Sequence, residues 1–490
     1  MTSPSKEKDT TYVKAVGCEE SSSFIGQNDN SNEIEKKVLR KFDLLIIPCL
    51  CLAYLFSNLD KSNIGNAEAA GMSKDLKLVG NQYGNVVSLL YVTYVIFETP
   101  IALSLKYIGP KYVLSVMCLL FGISCLCTSF ANGYHSLLAC RLLVGLFESG
   151  IIPCINVYLG MLYTRGEMAK RCSAVYAAGA TAGAFGGLLA FGITKIETEN
   201  WQGWRFLFAI EGALTIMCFP VLITFLPRDV TKVWWLSEEE KRFLENRMRS
   251  NPDFHMYEKF SWSEVIRGLK DKNTILVCLY QFCVDITLFG ISTFLPSIIK
   301  GMGYGSYSTQ LLTIPFYVVA LISFVTVAYF SDKTGNRGFF IIGGVLCEVI
   351  GYAILIGSRA LGARYFGCMM LGLGIYVCSG LSIMWVNNNN AGHYKRATAA
   401  GMCTTVGNVA GVVTGQIYTA DTAPRYFKGL KTALGMTCGA LIFVSSMVFN
   451  FDKENKKREK ILNDLEGKDI LNPEYFELKD DTSLTFKFLL

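Results

Sequence analysis

Tyr54-Leu-Phe-Ser-Asn-Leu-Asp60-Lys61-Ser-Asn-Ile-Gly-Asn-Ala-Glu68 closes the first apolar run of the chain and decides how the rest is read. It starts as lipid-soluble helix, then sets Asn58, Asp60, Lys61 and Asn63 where hydrocarbon is still expected. An ionisable side chain near a bilayer centre costs roughly 2.5–3.5 kcal/mol on insertion scales. Such residues persist inside a membrane only where they face a wet cavity or one another. The stretch therefore reads as half of a polar site buried in a membrane bundle.

The 490 residues are 51% hydrophobic and 18% charged, against about 25% charged in soluble chains. Apolar runs of roughly 20 residues, the length that crosses the hydrocarbon, recur from Phe42 to Phe451. Their cores fall near 42–60, 84–105, 112–131, 136–160, 173–195 and 206–226, then 274–297, 309–330, 339–358, 364–386, 398–419 and 432–451. The predicted fold class is all-α: a polytopic membrane protein with twelve transmembrane helices in two six-helix halves. The expected layout is a disordered N-terminal tail (1–41), a first half (42–226), a central loop (227–273), a second half (274–451) and a C-terminal tail (452–490). Within the central loop, Leu236-Ser-Glu-Glu-Glu-Lys-Arg242 carries an N-cap serine followed by glutamates and predicts a short surface helix.

An even number of spans puts both termini on one side. That side collects Lys36, Lys37, Arg40, Lys41, Lys106, Lys111, Arg165, Lys170, Arg171, Lys395, Arg396 and the cluster from Lys453 to Lys460. The excess of Lys and Arg predicts that both tails are cytosolic. The net charge of +6 is accounted for by these loops and gives no reason to expect a nucleic-acid partner. The 17 cysteines sit mostly inside apolar runs without paired or zinc spacing, and with three histidines no metal site and no cofactor are expected. No clustered His or Ser/His/Asp set is present, which argues against an enzyme.

Two loops half a membrane domain apart look alike. Ala328-Tyr-Phe-Ser-Asp332-Lys-Thr-Gly335-Asn-Arg337 follows the eighth run, and Ala102-Leu-Ser-Leu-Lys106-Tyr-Ile-Gly109-Pro-Lys111 follows the second. Aligned on Gly335 and Gly109, the basic residue two positions on and the small residue seven positions back agree. A repeat of two six-span halves is the expected architecture of one large class of secondary transporters. Asp332, Gly335 and Arg337 are candidate gating residues, a latch between neighbouring helices. The first-half copy carries Lys106 at the position of the acid.

In the fourth run, Arg141-Leu-Leu-Val-Gly-Leu-Phe-Glu148 places two charges on one helical face, about two turns or roughly 10 Å apart. Direct mutual pairing is strained at that separation; pairing to neighbouring helices or a role in the site remain. An arginine fork suits a carboxylate, and Glu148, among small residues, is placed to carry a proton. Asp60 and Lys61 are adjacent, hence about 100° apart on a helix, and cannot pair squarely with each other. Glu98 and Asp285 are further acids inside runs, each readable as a structural partner or a proton carrier. The small-residue runs Ala177–Gly187 and Gly401–Gly415 suit close helix approach. Asn408, inside the second run, needs partners. Asn387–Asn390 read mainly as helix-end caps, while Tyr91 and Tyr94 either line a cavity or pack.

Several stretches in order resemble the major facilitator superfamily, and within it the fungal anion:cation symporters of the allantoate-permease family. They are Asn58-Leu-Asp-Lys-Ser-Asn-Ile-Gly-Asn66, Phe97-Glu-Thr-Pro100, Gly109-Pro-Lys111, Arg141–Glu148, Trp204-Arg-Phe-Leu-Phe-Ala-Ile-Glu-Gly212, Asn390-Ala-Gly-His-Tyr-Lys-Arg396 and Ala423-Pro-Arg-Tyr426. Within that family, Val38–Lys41, Ser57–Ala67, Ala70–Asp75 and Leu78–Gly80 are similar to the yeast high-affinity nicotinic acid permeases. The resemblance implies a proton-coupled importer of a small organic monocarboxylate, nicotinic acid first, with allantoate, pantothenate or biotin as alternative substrates. A membrane nutrient sensor is a different class, which a longer cytosolic C-terminal domain would favour. By motif position, the resemblance implies proton coupling at Asp60 and Glu148 and substrate binding at Lys61, Arg141, Tyr94 and Asn408. It implies a plasma-membrane location, a proton and a carboxylate as partners alongside the bilayer, and action as a monomer.

Overall fold

Hydrocarbon offers no partner to an open backbone N–H or C=O, so each apolar run must fold as a helix that closes its own bonds. The computed structural model describes residues 9–194, 196, 198, 201–229, 232–250, 262–390, 393–419, 422–466 and 483–490. Its helices are α1 (Asp9–Ala69), α2 (Met72–Asp75), α3 (Gln82–Ile108), α4 (Pro110–Thr128), α5 (Tyr134–Glu148), α6 (Ile151–Leu162), α7 (Arg165–Ile193) and α8 (Gly203–Phe225). There follow α9 (Glu238–Ser250), α10 (Trp262–Lys270), α11 (Lys272–Lys300), α12 (Ser306–Thr334), α13 (Arg337–Gly357), α14 (Leu361–Asn389), α15 (His393–Ile417) and α16 (Phe427–Glu466). With α5 and α6 taken as one crossing, 11 helical segments among the described residues are long and apolar enough to cross a membrane. α15 completes the twelve; it has the length, but Thr404, Thr405, Asn408, Thr414 and its glycines dilute its hydropathy.

The fourth run, expected as one helix over 136–160, breaks after Glu148. Pro153 has no N–H to give the carbonyl of Ser149 and its ring crowds that carbonyl, so the ladder stops and restarts at Ile151. The expected N-terminal tail falls partly on residues 1–8, outside the described residues, and partly on the start of α1, which is helical from Asp9.

The helix pairs repeat between halves. In the first, α4 packs on α8, α1 on α7, and α3 on α5; in the second, the corresponding pairs are α13 on α16, α11 on α15, and α12 on α14. The halves meet through α3 on α15 and α7 on α12, two contacts that the repeat exchanges, and through α1 on α11. The glycine runs serve these seams. A Cβ added at Gly84 of α3 would lie 2.2 Å from the Gly415 carbonyl oxygen of α15, and one added at Gly183 of α7 would lie 2.2 Å from the Tyr317 ring of α12.

The end of the bundle away from the termini is closed by polar contacts across the seam. Gln416 accepts from Asn81 (2.7 Å) and donates to Asn85 (3.0 Å) and Ser88 (3.2 Å). Lys300 Nζ donates to the Ala69 carbonyl (2.6 Å), and Gln310 to that of Asn66 (3.3 Å).

At the opposite end, the central segment divides between the halves. α9 forms where the Ser-Glu-Glu-Glu stretch predicts a helix: Ser237 N–H donates to Glu240 (2.8 Å) and Glu240 N–H to Ser237 Oγ (3.3 Å). Lys41 of α1 pairs with Glu240 at 2.7 Å. Desolvation works against ionisation of Glu240, but the bonds from Lys41 and Ser237 outweigh it and hold the carboxyl below its ordinary range. α10, which the sequence reading did not foresee, packs on α15 and α11 of the second half. Residues 251–261 of the central loop and 467–482 of the C-terminal tail lie outside the described residues.

The last residues, Ser483 to Leu490, dock onto the second half. Asn389 of α14 holds Leu489 through both N–H (2.8 Å) and C=O (3.0 Å), and Asn455 of α16 does the same for Phe488 (2.9 and 2.8 Å). Trp385 Nε1 donates to the Leu489 carbonyl (2.7 Å), and the Phe488 ring stacks on Phe451 at 4.8 Å. Asn390 donates to the Val386 carbonyl (2.9 Å). Within the asparagine run read mainly as helix caps, Asn389 thus anchors the chain terminus. Because Phe488 is 5% exposed, Phe488→Ala is expected to cost about 3 kcal/mol and to lower the unfolding midpoint of detergent-purified protein by several degrees. Lys487→Ala, at an exposed position, should leave that midpoint unchanged in the same melt.

Candidate functional site

Adjacent residues on a helix point in different directions, and α1 uses this to send Asp60 and Lys61 to two partners on one neighbour. Asp60 Oδ2 meets Arg141 Nη1 of α5 at 2.7 Å; the two side chains are 2% and 1% exposed. Lys61 Nζ meets Glu148 Oε1, at the end of the same helix, at 2.9 Å. Arg141 and Glu148 do not pair with each other: the two-turn gap between them is matched by two long cations, one reaching from α5 and one from α1. Ser57 Oγ also donates to Glu148 Oε1 (2.5 Å), and Cys125 Sγ of α4 to Asp60 Oδ1 (3.2 Å). Each of these four charges faces an opposite one, the condition under which a charge survives in a low-dielectric interior.

A cavity of about 1140 Å³, counting space that opens to solvent, lies between the halves beside these pairs. Among the described residues lining it, Lys61 is the single cation and Asp285 the single carboxylate. Its walls are aromatic, with Tyr54, Tyr91, Tyr94, Tyr176, Phe289, Tyr317 and Tyr376 all contributing. The Lys61 ammonium lies 4.6 Å from the centre of the Tyr94 ring, within cation–π range. Asn408 lines the cavity and donates to Glu98 Oε2 at 3.2 Å, a link between the halves. Asp285 accepts from Gln281 and Ser379, both at 2.9 Å. Glu98 and Asp285 therefore both have hydrogen-bonding partners in this arrangement.

Of the residues singled out in the sequence, Asn58, Lys61, Tyr91, Tyr94, Asp285 and Asn408 come together on the cavity wall. Asp60, Arg141 and Glu148 do not line it. Arg141 instead lines an adjoining hollow of about 260 Å³ that shares Lys61 and Tyr91 with the cavity. Asp332, Gly335 and Arg337 lie apart from both, at the terminus end. There Arg337 pairs with Asp332 at 2.6 Å across the turn joining α12 to α13, and Gly335 takes the left-handed conformation at φ 70° that ends α12. Gly109, its counterpart in the first half, also has positive φ, at 93°; the Lys106 side chain lies outside the described residues.

Two buried acids went unweighed in the sequence reading, Glu211 of α8 and Glu348 of α13. Glu348 accepts from Thr287 at 3.0 Å. Both stand inside apolar runs, the signal that drew attention to Asp60. The aromatic wall was missed for another reason, since tyrosine is frequent throughout the chain, at 24 residues, and spacing does not tell lining from packing.

Two repeated six-helix halves around a polar, aromatic-walled cavity are the architecture of a membrane transporter. The chain belongs to the Major Facilitator Superfamily, whose model matches residues 50–415. It is 38% identical over 433 residues to the high-affinity nicotinic acid transporter of Saccharomyces cerevisiae, covering 88% of this chain and 81% of the relative. It is also 38% identical to an uncharacterised transporter of Schizosaccharomyces pombe, over 87% of this chain and 86% of that one. Among solved structures, a crystallised D-xylose–proton symporter superposes with TM-score 0.65 at 13% identity, covering 83% of this chain and 97% of its own. A bacterial homologue of the human lysosomal transporter Spinster, inward-facing, gives TM-score 0.65 at 15% identity, over 83% and 96%. The protein is thus a multi-pass membrane transporter rather than an enzyme.

Breaking a buried pair by removing one partner typically costs about 3–5 kcal/mol, whereas replacing both partners with apolar groups is often near neutral. Arg141→Met should therefore lower the melting temperature of the purified protein more than the double variant Arg141→Met/Asp60→Leu. Equal losses in the two would show that the pair does not govern stability.

Proposed function

We propose that this transporter imports a small organic monocarboxylate, nicotinate foremost, together with a proton across the plasma membrane, acting as a monomer with both termini in the cytosol. The observation that carries the reading is Lys61: a lone cation on an aromatic-walled cavity, held from behind by the buried carboxylate of Glu148. Nicotinate is a flat ring bearing one carboxylate. Its charge suits the Lys61 ammonium and its ring suits the tyrosines around it. The 38% identity to a nicotinic acid transporter points to the same substrate.

In the mechanism we favour, an incoming carboxylate takes Lys61 from Glu148, and Glu148 becomes free to accept a proton. Asp60 and Arg141 repeat the arrangement one layer deeper, where a proton taken by Asp60 frees Arg141 from it. Tyr94 seats the Lys61 end of the substrate, and Asn408 faces it from the other half. The closed seam at Gln416 and Lys300 suits an inward-facing state. Asp332, Gly335 and Arg337 act as a gating latch by fixing the turn between α12 and α13. One monoanion carried with one proton moves no net charge, so accumulation follows the pH difference, about tenfold per pH unit.

Uptake of labelled nicotinate by a permease-deficient yeast expressing the protein should rise as the medium is acidified and collapse with a protonophore. Uptake indifferent to both would remove the proton. Unlabelled allantoate, pantothenate and biotin should compete weakly; equal competition by one of them would reassign the substrate. Lys61→Met should raise KM by about tenfold or more, equivalent to about 1.4 kcal/mol of lost binding, with partial recovery in Lys61→Arg.

A further inference from the structure

Glu211 is a buried acid near the Asp60–Arg141 pair that the mechanism above leaves unused. It lies on α8, one turn beyond Phe208 and on the same face. The Phe208 ring carries the Arg141 guanidinium at 4.9 Å. Cys125 Sγ of α4 sits 3.8 Å from the Phe208 carbonyl oxygen and 3.2 Å from Asp60 Oδ1. Glu211 therefore lies close to the Asp60–Arg141 pair. It is 2% exposed, and neither carboxyl oxygen has a hydrogen-bonding partner. Nε and Nη2 of Arg141, equally buried, also have none. Two open acceptors on Glu211 and two open donors on Arg141 are thus buried in the same part of the first half.

The groups that face Glu211 can be named from the helices around it. α1 presents Asp60, α4 presents Cys125, and Arg141 reaches across from α5; Asp60 and Arg141 are the charges that act on Glu211. α7 also packs on α8, but its charged residues, Arg165 to Arg171, stand at its terminus-side start. By charge count, Asp60 and Arg141 already neutralise each other. A second carboxylate here would be uncompensated in a low-dielectric interior.

We propose that Glu211 is the exchange partner of Arg141, the acid that takes over the guanidinium when Asp60 accepts a proton. The inference rests on proton coupling at Asp60. In the arrangement seen, Asp60 is the carboxylate, Arg141 the cation and Glu211 the neutral acid. In the exchanged arrangement, a new O–H bond holds a proton on Asp60, the O–H bond of Glu211 has broken and released its proton, and Arg141 pairs with the Glu211 carboxylate. Net charge is the same in both, so the exchange never exposes a bare charge to the apolar core. Each proton bound at Asp60 is matched by one released from Glu211, which makes the pair a relay. Glu211 is a positioning and relay residue and does not touch the substrate.

The test uses purified protein in liposomes and labelled nicotinate, comparing uptake driven by an inward proton gradient with nicotinate exchange at equal pH on both sides. Glu211→Gln keeps the shape but leaves Arg141 no second anion. Gradient-driven uptake should fall by about tenfold or more and lose its pH dependence, while exchange stays near the wild-type rate. Glu211→Asp should recover part of the driven uptake. The relay is overturned if Glu211→Gln follows wild type at every pH, or if exchange falls in proportion to driven uptake, the mark of a packing role. A wild-type trace that is flat in pH overturns the coupling reading itself, and is seen without any variant.

Discussion

A charge buried in an apolar bundle must be neutralised where it stands, and this constraint ties α1 to α5. Asp60 and Lys61, neighbours in sequence, are neutralised by Arg141 and Glu148, two turns apart on a broken helix. The break at Ser149 and Gly150 leaves Glu148 as the last residue of α5, where its carboxylate meets both Lys61 and Ser57. Removing Asp60 or Arg141 strands its partner in the closed interior, and removing Lys61 leaves Glu148 buried without its cation. The first half is thus held together by groups that, in the proposed mechanism, a substrate anion and a proton draw apart. Stability and the proposed transport draw on the same four side chains.

The second constraint is close approach. Gly84 against Gly415 and Gly183 against Tyr317 let the halves touch at backbone distance, which shapes the cavity and seals one end of it. The aromatic wall faces Lys61 across that space, and Asn408 with Glu98 forms a hinge-like link from α15 to α3. At the terminus end, the halves carry separate polar attachments: α9 on Lys41, the final residues on Asn389 and Asn455. Each attachment stays within one half, so rocking of one half against the other leaves them intact.

Much of the fold was legible in the sequence because run length is a one-dimensional signal. The capping pattern at Ser237 was legible for the same reason. The interruption at Glu148 was written in Pro153 but hidden by the hydropathy on both sides of it. The four charged residues stood out as ions in apolar runs, yet their pairing did not. Which way Asp60 and Lys61 aim depends on how α1 is rotated against α5, and rotation is set by packing. Glu211 and Glu348 bore the same signal as Asp60, with no neighbouring charge to single them out. The docking of Phe488 and Leu489 on Asn389 and Asn455 joins segments far apart in the chain, and no local pattern announces it.

The central claim is that the buried pairs exist to move an acid's anion and a proton as one event. It is tested most directly in liposomes holding the purified protein and a pH-sensitive dye, with nicotinate added outside at equal pH on both sides and the potential clamped. The account predicts acidification of the lumen at the rate of nicotinate entry. Nicotinate entering with no change in luminal pH would contradict it.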